Sequence, residues 1–187
     1  VLFRSENDAC TVIAPSLPGY GLSFIPDQKR FGVAEIADCM ADLMTKVLGY
    51  ESFGAQGGDW GAFICSSMGV RHSSKLIGIH QNMLSLNPAI PAPSNPTLAE
   101  EQYAREIREW AKEETGYIHI QGTRPQTLSF ALSDSPAGLA AWIVEKFHVW
   151  TDHNGDFETA IDRDRMLANI ALYWFTGAIG SSFWPSY

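Results

Sequence analysis

Apolar positions recur along the chain in two different rhythms, and the change between them divides it. Residues 11–15 (Thr-Val-Ile-Ala-Pro), 52–56 and 76–80 are short apolar or β-branched runs bounded by turn residues, which is the signature of buried strands. Between them the period lengthens. Val33, Ile36, Ala37, Met40, Leu43, Met44 and Val47 fall at helical spacing, with Glu35, Asp38, Asp42 and Lys46 between them, and Gly49 supplies a stop. Residues 62–70 also have helical character. The order is strand, helix, strand, helix, strand. Strands joined by helices of that length should lie parallel, with right-handed crossovers.

Pro88, Pro91, Pro93 and Pro96 then crowd together, a density that neither helix nor central strand tolerates. Beyond them the pattern is helical throughout. A helix with a polar face is expected over 98–116. A second should open at Pro136 and run to 147, since proline suits a first turn. A third, strongly aromatic, should cover 166–179. The expected division is a parallel-sheet core over 1–89 and a mostly helical module over 90–187.

Composition narrows the class of partner. Of 187 residues 45% are apolar and 18% charged, ordinary for a globular protein with a core. The net charge is −8, and residues 91–187 carry 13 acidic against 7 basic side chains. Without a basic stripe, nucleic acid and anionic membrane surfaces are poor partners. Cys10, Cys39 and Cys65 are scattered and odd in number, as for reduced thiols. No ligand spacing suggests a metal, and no cofactor is expected. No run of about 18 apolar residues is long enough to span a membrane.

The run Gly57-Gly58-Asp59-Trp60-Gly61 sits between a strand and a helix. A sharp strand-to-helix turn favours glycine and lifts its central side chain out of the sheet, as in a nucleophile elbow. Here that residue is Asp. A carboxylate is ionised at neutral pH and can attack an sp³ carbon without a base, leaving an alkyl ester on the enzyme. The helix N-terminus favours its charge, and the Trp60 N–H could hold an oxyanion when the ester is hydrolysed. Asp is also a favoured helix N-cap, so a turn plus a cap is the plain alternative.

This elbow, preceded by Ala14-Pro15-Ser16-Leu17-Pro18-Gly19-Tyr20-Gly21-Leu22-Ser23, resembles the epoxide hydrolases of the α/β-hydrolase superfamily. Residues 114–121, 131–141 and 173–177 are similar to parts of the helical cap in the microsomal-type branch. The resemblance runs over nearly the whole chain, in the family's order. It implies an α/β-hydrolase fold with a partial parallel sheet and a helical cap. It implies an epoxide and water as substrates, and a vicinal diol as product. Asp59 would be the nucleophile. Tyr117 and Tyr187 would be the phenols that hydrogen-bond the epoxide oxygen. Trp60 would contribute to the oxyanion site and pocket, with Trp150 and Trp174 as further pocket side chains or ordinary core. Tyr20, Tyr103 and Tyr173 are assigned to packing.

The family also needs a general-base His after the cap, with an acid partner. None of His72, His80, His119, His148 or His153 holds that place. The expectation is a fragment that could form the ester but not release it. Two other readings stay open: a haloalkane dehalogenase-like enzyme sharing the Asp–Trp elbow, and a non-catalytic fragment of the fold. Membrane association, a homodimer, and location in the cytoplasm or at the endoplasmic-reticulum membrane face also stay open.

Overall fold

The computed structural model describes residues 9–83 and 93–187. Pro88, Pro91 and the expected 89/90 boundary lie outside the described residues.

Helix α1 (Val33–Asp42) begins at Gly32, whose N–H donates to the Glu35 carboxylate at 3.0 Å. It runs into a π-helical turn, Leu43–Val47, and stops where Gly49 takes φ 76°. Strand β1 (Phe53–Gly57) follows, then helix α2 (Trp60–Arg71), a 3₁₀ turn (Ser73–Lys75) and strand β2 (Leu76–Gln81). The strands pair in parallel, as expected for a crossover through α2. Phe53 pairs with Leu76 and Gly54 with Gly78, so the register slips at Ile77.

Residues 11–15 were expected to form a further strand and do not. They are coil, with Val12 and Ile13 53% and 37% exposed. β-branched side chains favour extended backbone but cannot supply a ladder, and among the described residues no strand pairs with this one.

Residues 93–187 contain helices and turns. α3 (Leu98–Glu114) is fixed at its start by a reciprocal cap. The Thr97 N–H donates to Glu100 Oε2 at 2.7 Å and the Glu100 N–H to Thr97 Oγ1 at 3.3 Å. The helix expected to reach 116 breaks at Thr115, and two unanticipated helices follow, α4 (Gly116–Thr123) and α5 (Pro125–Asp134). α6 (Pro136–Trp150) opens on Pro136 as expected, with the Gly138 N–H bonded to Ser135 Oγ at 3.0 Å. α7 (Arg163–Thr176) starts and ends three residues early. Asp162 caps it, accepting from the Arg165 N–H at 2.9 Å, and Gly177 at φ 67° ends it. Among the described residues no helix is long and apolar enough to cross a membrane.

Two apolar clusters hold the molecule. One joins Ile36, Ala37 and Ala41 of α1 to Phe53 of β1 and to Ile64, Cys65 and Met68 of α2. The other joins Leu132, Leu139, Ile179 and Phe183, flanked by Trp142, Tyr173 and Trp174. Burying each large side chain contributes roughly 1.5–3 kcal/mol. The first cluster fixes β1 and α2 against each other, and so fixes the turn between them.

That packing has a polar clasp at its rim. Arg71 Nε and Nη2 donate to the two Asp38 oxygens at 2.9 and 2.5 Å, and His72 Nε2 lies 2.7 Å from Oδ1. These bonds, Arg71's first, hold the Asp38 carboxyl well below the usual carboxylate range. A carboxyl depressed on folding stabilises above its unfolded pKa, about 4, and loses that contribution as pH falls toward the folded value. Asp38→Asn should therefore lower the thermal midpoint by a few degrees at pH 7. The gap from wild type should narrow on acidification below about pH 4. Thermal melts across that range check it; a gap independent of pH would contradict the clasp.

Candidate active site

The chain leaves β1 at Gly57 and enters α2 at Trp60, so the reversal falls on Gly58 and Asp59. Asp59 has φ 50° and ψ −128°, a positive-φ conformation that L side chains rarely adopt. Such backbone costs on the order of 1–3 kcal/mol and persists where its surroundings over-determine it. They do so here. A Cβ on Gly57 would lie 2.3 Å from the carbonyl carbon and oxygen of Gly61, so strand and helix cross there in direct backbone contact. A Cβ on Gly58 would meet Asn82 Oδ1 at 2.1 Å. Gly61 has open space at its own Cβ position. The glycine requirement therefore lies on the strand side of the elbow.

The reversal leaves the Asp59 carboxylate at the surface of a cavity, with Oδ1 accepting the Trp60 N–H at 2.5 Å. One oxygen is thereby held against the helix start.

Three tyrosines share that cavity, of about 450 Å³, with Asp59 and Trp60. Tyr117 comes from the first turn of α4. Tyr173 comes from α7. Tyr20 comes from the loop 16–23, which folds back through Gly19 (φ 91°) and Gly21 (φ 48°). The Tyr20 N–H donates to Leu17 O at 2.9 Å, and the Tyr20 carbonyl accepts from Ser23 at 2.8 Å. The buried Ser181 hydroxyl donates to Gly19 O at 2.6 Å, pinning this loop to the segment after α7.

The site's electrostatics keep these phenols neutral. Burial, then Tyr173 and the Asp59 charge, push Tyr20 far above an ordinary phenol. Burial, then Asp59 and Glu114, raise Tyr117. Burial alone raises Tyr173. A neutral phenol is a hydrogen-bond donor, and these stand around a carboxylate in a mainly apolar hollow that Gln121, Lys146, Thr151, Asn169 and Ser182 also line.

The structure thus brings together Asp59, Trp60, Tyr117 and Trp150 of the residues singled out from sequence. It does not bring Tyr187 there: that ring is 60% exposed, with the Arg30 guanidinium 5.0 Å above it. Trp174 packs in the second apolar cluster. Tyr20 and Tyr173, read from sequence as packing, also line the cavity, and Tyr173 packs against the second apolar cluster as expected. The paired glycines around Tyr20 were the signal available for it, since they force a tight loop that aims the residue between them. Nothing in the helical pattern marks Tyr173. Among the described residues no group of three or more His, Cys, Asp or Glu side chains is placed to hold a metal.

Comparison with known proteins agrees with the architecture. A family profile described as the alpha/beta hydrolase fold matches residues 3–141, and the chain belongs to that family. A protein of Stigmatella aurantiaca is 46% identical over 177 residues, covering 94% of this chain and 40% of its own length. The juvenile hormone epoxide hydrolase of Bombyx mori is 40% identical over 198 residues, covering 96% of this chain and 43% of its own. The crystal structure of juvenile hormone epoxide hydrolase from that silkworm superposes with a TM-score of 0.77 at 39% identity, over 92% of this chain and 45% of that one. The chain therefore spans about two fifths of the length of the curated relatives it matches.

The glycine contacts yield a paired test. Gly57→Ala should cost about 3 kcal/mol or more, because a backbone crossing has no room to yield. Gly61→Ala should stay within about 0.5 kcal/mol of wild type. Urea denaturation of both variants distinguishes them; equal effects would mean that the crossing is not the constraint.

Proposed function

We propose that this chain carries the alkylating half of an epoxide hydrolase, with Asp59 as nucleophile and the helical segment over 90–187 acting as a cap over it. The observation that supports this reading best is the Asp59 elbow facing phenols in one mainly apolar cavity. The epoxide hydrolase relatives and structural neighbours support it as well.

The geometry supports a role for each residue. With Oδ1 on the Trp60 N–H, Oδ2 is the oxygen left to attack an epoxide carbon. The ring C–O bond breaks, and its electron pair goes to the oxygen. A phenol gives that oxygen a proton, a step that depends on donors already in place. Tyr117 is assigned this role. Tyr187 is its partner in the resemblance, while Tyr20 and Tyr173 are the phenols nearer at hand. Attack through Oδ2 leaves Oδ1 as the ester carbonyl, still on the Trp60 N–H. That N–H is then placed for the oxyanion formed when water attacks the ester. The substrates are a small epoxide and water, and the product is a diol.

A dehalogenase would share the ester chemistry but needs donors for a departing halide. The phenol-lined cavity favours the oxygen leaving group. Mixing the chain with styrene oxide should raise its intact mass by one epoxide per chain. Asp59→Asn should abolish the gain, and Tyr117→Phe should slow it about 10²-fold. 1-Chlorobutane should leave the mass unchanged. A faster reaction with the chloroalkane would favour the dehalogenase reading. Undiminished labelling of the Asn variant would remove Asp59 from its role.

A further inference from the structure

Tyr117 is braced from a second helix. The Lys146 ammonium lies 5.3 Å from the centre of the Tyr117 ring and 5.2 Å from that of Trp150. The two rings pack against each other at 5.2 Å, inclined by 60°. Lys146 and Trp150 are four apart on α6, hence on one face. The Trp150 indole N–H donates to Glu114 Oε2 at 2.8 Å, tying this face to the end of α3. Both side chains line the Asp59 cavity.

A lysine normally extends its ammonium into water. The Lys146 ammonium donates to the Glu145 carboxylate at 2.5 Å, yet the Lys146 side chain is only 20% exposed, against 61% for Glu145. The ammonium therefore sits over aromatic faces, where its attraction to the rings is strengthened by partial desolvation. Around the phenol, Asp59 on the elbow and Glu114 on α3 contribute negative charge. Tyr20 from loop 16–23 and Tyr173 from α7 are further phenols. Lys146 is the one cation lining the cavity among the described residues.

We propose that Lys146 is a positioning residue for Tyr117, seating the phenol at the cavity wall and favouring release of its proton against the opposing charges of Asp59 and Glu114. This rests on the reading of Tyr117 as the donor to the epoxide oxygen. In that step the broken C–O bond leaves its electron pair on oxygen, the oxygen takes the phenol proton, and a phenolate remains. Nearby positive charge stabilises that phenolate, and a proton from water later restores the phenol.

The test is an ultraviolet titration of the chain, with Tyr117→Phe subtracted to isolate the phenol. Tyr117 should ionise at higher pH in Lys146→Met, near the wild-type pH in Lys146→Arg, and at lower pH in Glu114→Gln. The saturating rate of styrene oxide adduct formation should fall about tenfold in the Met variant, with the half-saturating concentration little changed, and should recover in the Arg variant. Lys146→Gln replaces the Met variant if that fails to fold. A titration unmoved by loss of the ammonium would overturn the proposal. So would a rate loss that Arg does not restore. If the wild-type chain forms no adduct, the reading of Asp59 fails, while the titration still decides whether Lys146 governs Tyr117.

Discussion

Between Gly57 and Gly61 the strand meets the helix so closely that a single methyl on Gly57 would overlap the Gly61 carbonyl. That backbone contact dictates the rest. It obliges the chain to reverse within two residues, which puts Asp59 at φ 50° and turns its side chain out of the sheet. The strain is small beside what opposes it. Phe53, Ile64, Cys65 and Met68 are buried on either side of the turn, and Ile36 and Ala37 close the cluster from α1. Relaxing Asp59 would require separating strand and helix, and so uncovering that cluster.

A turn under this constraint also organises charge. The N–H at the start of α2 is fixed on one Asp59 oxygen, and the phenols around the carboxylate stay protonated through burial and its negative charge. The same charge that keeps Tyr117 protonated also resists its giving up the proton. Lys146, drawn to the Tyr117 and Trp150 faces, is the counterweight. Carboxylate, phenols and ammonium thus form one electrostatic unit drawn from the elbow and three helices, α4, α6 and α7, with the loop 16–23 supplying a further phenol.

Much of this was legible in the chain itself, for identifiable reasons. β1, α2 and β2 are specified by local pattern and by glycines with a steric duty, and Asp59 is marked by standing among them. α6 is announced by Ser135 and Pro136, which cap and open it. What was not legible depends on distant partners. Residues 11–15 look like a strand because their side chains are β-branched, yet a strand also needs a neighbour, which no local pattern encodes. The end of α3 near Gly116 was legible, but the new helix that starts there and carries Tyr117 was not. Tyr20 reaches the cavity because Ser181, 162 residues from Gly19, holds its loop. Lys146 looks like a solvated charge on an amphipathic helix until two rings are found beneath it. The position of Tyr187 under Arg30, away from Asp59, could not be read from a resemblance either.

The central claim is that the elbow makes Asp59, among all nucleophiles in the chain, the one that is alkylated. Its most direct test is proteolysis of the styrene oxide adduct followed by tandem mass spectrometry to locate the modified side chain. The account predicts an ester on Asp59, with Cys39 and Cys65, whose thiols burial holds in the protonated form, unmodified. Modification confined to cysteine, histidine or lysine, with Asp59 untouched in folded protein, would contradict it.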